Sequence, residues 1–225
     1  MRQQTQFCTY TITAATKGNL VSLTRQAIIT ADMQVFTDIG TALGRAAKRT
    51  VESDAYALLV SNPTMPDGIA LFHASHGNLP TAAAPSVTAF DAARVAMALQ
   101  KDVGGNDYLD LSPAIWLGPK SLGGTARVIN ASEYDPDTAN KLQRKNMVMN
   151  LFADIVDTPR LSGTGWYLFA NPSEAPVIEV AFLDGNDTPF LDLQNGFTVD
   201  GATYKARLDY GVAAIDHKGA QYNSG

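Results

Sequence analysis

The chain has 225 residues, 45% of them apolar and 17% charged, with a formal net charge of −5. That length can bury a real core as one large domain or two lobes. The acidic balance and the lack of a basic block exclude nucleic-acid binding by phosphate neutralisation, and no run of about 18 apolar residues is present to span a membrane. The single cysteine, Cys8, excludes an internal disulfide and suits a reducing cytoplasm. The opening MRQQTQFCTYTIT carries no apolar signal core.

Residues 5–13 and 19–29 both read as β-formers, separated by Ala14-Ala15-Thr16-Lys17-Gly18, where the glycine suits a turn. The expectation is a hairpin over 5–29 with two half-polar faces, poorly suited to a buried sheet. Asp32–Ser61 follows with Phe36, Ile39, Leu43, Ala47, Val51, Ala55 and Leu58 at steps of three or four, which predicts one long amphipathic helix. Thr30 or Asp32 can cap it, and Asn62-Pro63 ends it, because the residue before a proline is pushed out of the helical region. Such a rod is about 45 Å long. Its apolar face is narrow and alanine-rich, as expected of a spine against which other elements are laid.

Residues 62–86 hold four prolines and read as a connection. His73 and His76 lie there at a spacing that can ligate a metal, with Asp67 as the nearest carboxylate and no HExxH. A loop fixed by histidine and asparagine hydrogen bonds is the plainer reading. Thr88 and Asp91 open a helix at capping-box spacing, with Val87, Phe90, Ala93, Met97 and Lys101 inward and Gly104-Gly105 ending it. Tyr108–Leu117 is strand-like with Pro113 placing a bulge or an edge in it, and Pro119 starts a short helix through Ile129. Gly123-Gly124 matches no phosphate-loop pattern and reads as close packing or a turn. Residues 132–145 are polar and read as surface. Strands are predicted over Met147–Val156, Trp166–Ala170 and Val177–Leu183. A hairpin is predicted from Phe197–Val199 and Tyr204–Ile215 around Asp200-Gly201. His217, between Asp216 and Lys218, reads as a solvated strand end. The fold class is α+β.

No catalytic constellation stands out: GxSxG is absent, the histidines number three and the carboxylates are scattered. No catalytic, cofactor-binding or metal residue is therefore assigned, which leans towards a structural protein.

Several blocks together resemble the major capsid proteins of tailed bacteriophages and prophages. They are TRQAIITADMQVFTDIGTALGRAAKRT with LLVSNPTMPDGIALFHASHGNL, then RLSGTGWYLFANPSEAPVIEVAFLDGNDTPFLD, then the ending ARLDYGVAAIDHKGAQYNSG. The resemblance covers nearly the whole chain and implies the Hong Kong 97-like capsid fold. It implies an extended β-hairpin loop over 1–30 with a truncated N-terminal arm, and a spine helix of the peripheral domain over 31–62. It further implies an axial domain over 63–176, peripheral-domain strands over 177–205, and a C-terminal strand over 206–225 returning to the axial domain.

The implied function is a structural head protein assembling through pentamers and hexamers into an icosahedral shell that encloses DNA. Its partners are copies of itself, with scaffold, prohead protease, portal and decoration proteins as further candidates. Neither sequence-specific nucleic-acid binding nor membrane contact is implied, and no cofactor. The hairpin and loop 63–86 are expected to gain order from neighbouring subunits. Some relatives cross-link through a lysine–asparagine isopeptide bond assisted by a glutamate; no glutamate follows Glu179, so that chemistry is not carried over to Lys17. Three alternatives stand beside this reading: an encapsulin-like nanocompartment shell, a His73/His76 metal-dependent hydrolase, and a prophage remnant that stays monomeric.

Overall fold

The computed structural model describes residues 10–24, 26, 34–136, 144–195 and 201–225. Cys8, the caps at Thr30 and Asp32, and the strand expected over Phe197–Val199 lie outside the described residues. The chain divides into two compact units. One takes residues up to 10, then 59–179 and 214–225; the other takes 11–58 and 180–213.

The second unit holds a four-stranded sheet built around one long strand. β1 (Ala15–Thr24), β5 (Ile178–Phe182), β6 (Phe190–Asn195) and β7 (Gly201–Ala214) form it, with β1, β5 and β6 all pairing with β7. β1 runs antiparallel to β7 from Ala15 opposite Tyr210 to Thr24 opposite Gly201. β6 pairs antiparallel with the same strand, from Phe190 opposite Arg207 to Asn195 opposite Ala202. Along β7 the alternate residues Ala202, Ala206, Leu208 and Tyr210 are buried, the period-two pattern of a one-sided sheet.

Here the structure corrects the expected turn at Ala14–Gly18, because Ala15–Gly18 belongs to an unbroken strand. Gly18 is there for proximity: a Cβ on it would stand 2.7 Å from the carbonyl oxygen of Ala206. Most of β1 is exposed, which accounts for the half-polar faces read from its sequence.

The long helix, α1, spans Gln34–Ser61 and is about 42 Å long. Among its residues of described burial only Leu43 and Leu59 are fully buried, so its inward face is as narrow as the spacing predicts.

The first unit contains α2 (Val87–Ala98), α3 (Lys120–Ala131) and a second sheet. That sheet has the order β3-β2-β4-β8, formed by β3 (Asp154–Thr158), β2 (Pro113–Pro119), β4 (Trp166–Ala170) and β8 (Ala220–Asn223). β2 and β3 are parallel and α3 makes the crossover between them; the other pairings are antiparallel. The register shift between Pro113 and Ile115 is the expected bulge. Gly123 allows α3 to press on β3, since a Cβ there would stand 2.6 Å from that of Asp157.

The core of this unit gathers Phe90 and Met97 of α2, Ile129 of α3, Trp116 and Trp166 of the sheet, and Phe152. Phe90 meets Phe152 and Trp166 edge to face, with ring centroids 5.0 and 5.3 Å away. The Trp166 indole N–H donates to the Ala83 carbonyl at 3.0 Å.

Three boundaries differ from expectation. Ser86, rather than Thr88, caps α2, accepting from the Ala89 N–H at 3.1 Å. α2 stops at Ala98, and Lys101 bridges to Tyr108 in the loop that follows instead of facing the core. Residues 147–150 form a turn, with Asn150 at φ +55°, so the strand expected from Met147 begins only at Asp154. Asn146 enforces that turn by donating to the carbonyls of Ile129 and Ser132 while accepting from the Val148 N–H.

Candidate functional site

The connection after α1 carries its own order. Asn62 stands at φ +47°, a left-handed conformation that closes the helix, and its side chain both donates to and accepts from the Phe72 backbone. Leu71 N–H donates to Pro63 O and Met65 N–H to Ile69 O, folding residues 63–71 into a small hairpin. Asn78 is fully buried and works as a hub. Its Oδ1 accepts from the His73 N–H at 2.9 Å, and its Nδ2 donates to Leu71 O at 2.7 Å and to His217 O at 3.3 Å. Residues 62–78 thus carry a hydrogen-bonded network of their own.

His73 and His76 do not act as a pair. His73 Nδ1 accepts from the Ser75 N–H at 3.1 Å and caps a single 3₁₀ turn over Ala74–His76. His76 is buried, with Nδ1 3.1 Å from Leu71 O and Nε2 2.8 Å from Asp67 Oδ2. Its ring stacks on that of His217, centroids 3.8 Å apart and planes 10° from parallel. Among the described residues, Asp67, His76 and His217 bring one ligand-capable atom each within 4.8 Å of the others.

Residues 216–218 are thus no solvated strand end. Lys218 is only 8% exposed, and Asp216 accepts from the backbone N–H groups of His217 and Lys218. Burial, and then the His76 charge alongside, push the His217 imidazole below its ordinary pKa. Sequence spacing could find Asp67 and His76. Nothing in the letters tied them to His217, which arrives from the far end of the chain.

Two other polar groupings are structural. Asp157 on β3 lies between Lys120 Nζ, at 3.2 Å, and Arg127 of α3. The Arg127 and then the Lys120 hydrogen bonds pull its carboxyl down to about 2. In the second unit, Asp54 of α1 pairs with Lys17 and accepts from the Tyr210 hydroxyl. Burial alone raises the Asp54 carboxyl, but these two partners reverse that and leave it below its ordinary value.

A cleft of about 480 Å³ in this unit is lined by residues that include Thr16, Lys17, Leu43, Thr50, Arg207 and Tyr210. Large apolar residues are exposed at several places among the described residues. Phe190, Leu191 and Leu193 lie on β6, while Val95, Leu99, Val103 and Tyr108 lie at the end of α2 and in the loop beyond it. Grouped exposed apolar side chains on ordered elements mark contact surfaces. No described helix is long and apolar enough to cross a membrane.

Solved structures similar to this one include a protein of Mycobacterium phage Che8, 14% identical over 93% of this chain and 70% of that one, with a TM-score of 0.57. The capsid of cyanophage P-SCSP1u is 11% identical over 99% of this chain and 78% of that one, at 0.60. The SrpI encapsulin of Synechococcus elongatus PCC 7942 is 11% identical over 95% and 74%, at 0.54. At such identities the likeness speaks for the fold, which is Hong Kong 97-like. No curated protein matches the sequence. The family described as phage capsid protein matches residues 9–223, nearly the full length, and the chain belongs to that family.

Proposed function

We propose that this protein is the major head protein of a tailed phage or prophage, built to self-assemble through pentamers and hexamers into an icosahedral shell around DNA. The observation that carries this reading is the family match across residues 9–223. In this reading α1 is the spine of a peripheral domain (31–62 with strands of 177–205), residues 63–176 make the axial domain, and 206–225 carry the chain along β7 and back to it. β1, exposed along most of its length, belongs to the 1–30 segment that meets an adjacent subunit. The role is geometric rather than catalytic. Each protomer makes heterologous contacts that close around a local axis, over areas typical of obligate interfaces, roughly 2,000 Å² or more. The exposed apolar groups on β6 and beyond α2 supply surface for those contacts.

The net charge of −5 suits a wall that does not grip its contents. Assembly takes place in the host cytoplasm, where scaffold, prohead protease, portal and decoration proteins are the partners to look for. The likeness to an encapsulin favours one second reading, a shell of the same fold around a protein cargo. Electron microscopy of the purified protein tests the proposal: rings or closed shells are expected. Nuclease-protected DNA inside supports the phage reading, and a protein cargo supports the other. Featureless monomers at every salt and protein concentration overturn both.

A further inference from the structure

The contacts of His76 pose a chemical problem that only a cation between two groups resolves. A backbone carbonyl can only accept, so the 3.1 Å approach of Leu71 O requires the hydrogen of the imidazole to sit on Nδ1. Nε2 of the neutral ring is then a lone pair, and it faces a second acceptor, Asp67 Oδ2, at 2.8 Å. Either an additional proton or a metal ion has to lie between them.

We propose that Asp67, His76 and His217 form a binding site for a divalent transition-metal ion of the zinc class. Three features of the surroundings favour the metal. His76 has the arrangement typical of a ligating histidine, the far ring nitrogen donating to a carbonyl so that tautomer and orientation are set. Asp67 is divided in the same way: Oδ1 accepts from the Ile69 N–H at 2.9 Å and Oδ2 is left for the site. His217 supplies the third atom, within 4.8 Å of the other two, and Asn78 holds both flanks through Leu71 O and His217 O.

Two imidazoles and one carboxylate are the ligand chemistry of zinc and its neighbours rather than of calcium or magnesium, which take oxygen sets. Metal–ligand bonds near ~2.0–2.2 Å separate tetrahedral ligand atoms by roughly 3.3 Å. Binding therefore asks Asp67 to swing outward by about half an ångström and the His217 ring to turn out of its parallel stack. The Asp67 side chain is 44% exposed and free to do so, and the solvent on its side provides the fourth ligand. The ion would fasten the hairpin after α1 to the segment before β8, a structural clamp that does not depend on the assembly reading.

The test uses the purified full chain, stripped with chelator and dialysed against micromolar Zn²⁺, with metal counted by mass spectrometry. One equivalent per chain is expected, together with a thermal midpoint that rises with zinc and falls back with chelator. Substituting Co²⁺ should give the strong visible bands of a tetrahedral site. His217→Gln and Asp67→Asn, which preserve side-chain size, should each weaken binding by about tenfold or more. His73→Ala should leave it unchanged, because His73 only caps its own turn. Substoichiometric metal in the folded wild type, with no chelator-dependent shift in midpoint, overturns the proposal and leaves a proton in the gap. So does full binding retained in both His217→Gln and Asp67→Asn, which places the ion elsewhere.

Discussion

Gly118 packs against the indole of Trp116 so closely that a Cβ at 118 would stand 2.4 Å from Trp116 Cη2. Trp116 is fully buried in the core of the first unit and has nowhere to withdraw. Gly118→Ala is therefore an overpacking change, expected to cost about 1–3 kcal/mol. Gly124→Ala makes the control. It lies within α3 with nothing inside 4 Å of the new Cβ, and replacing a helical glycine should stabilise by roughly 0.5–1 kcal/mol. Urea denaturation of the two variants should move the midpoint in opposite directions.

Asn78→Ala removes one fully buried side chain and strands the His73 N–H and the Leu71 and His217 carbonyls. With each buried unsatisfied group costing about 1–3 kcal/mol, the loss approaches the whole stability of a domain. Asn78→Asp keeps the acceptor but sets a buried carboxylate oxygen against the Leu71 and His217 carbonyls, so it should be no more stable than alanine. Thermal unfolding gives the order. An alanine variant as stable as wild type would mean the hub carries no weight.

The Asp157 carboxyl, held down to about 2 by Arg127 and Lys120, links stability to acid. Because the folded value is depressed, the unfolded chain binds the proton first. The stabilisation is thus complete above the ordinary aspartate range of about 3.9 and disappears as the pH drops towards 2. Asp157→Asn should be less stable than wild type at neutral pH. The gap should close between about pH 4 and pH 2, as followed by denaturation at a series of pH values.

Leu193 on β6 is half exposed, so Leu193→Glu should shift the midpoint of the isolated protein by no more than about 0.5 kcal/mol. If β6 meets a neighbouring subunit, the same change buries an unpaired charge at that interface and blocks assembly. Light scattering and electron microscopy on the folded variant make the comparison. Shells of wild-type yield would remove β6 from the contact surface.

Elements whose own periodicity was strong were legible in the letters. α1 and α2 showed their apolar spacing, β4 its run of core residues, and β2 its proline-marked irregularity. What failed was decided by distant parts of the chain. Gly18 reads as a turn glycine because nothing local reveals that β7 lies against it. β6, with Asp192 and Gln194 between apolar residues, passes for a connection until β7 pairs with it. The turn at 147–150 is imposed by Asn146 reaching back to the end of α3, which outweighs the apolar run around it. In the polar cluster, spacing suggested His73 and His76 as partners, whereas the fold turns His73 to its own backbone and substitutes His217.

The β1–β7 pairing sets a timetable for synthesis. Since Ala15 must find Tyr210, β1 waits unpaired on the ribosome until β7, far along the chain, has been made. The sheet of the second unit cannot close before β7 emerges, and any docking face resting on that sheet is withheld until then. In the proposed assembly, lattice contacts that rest on this sheet therefore become available only after the strand that anchors it has been synthesised.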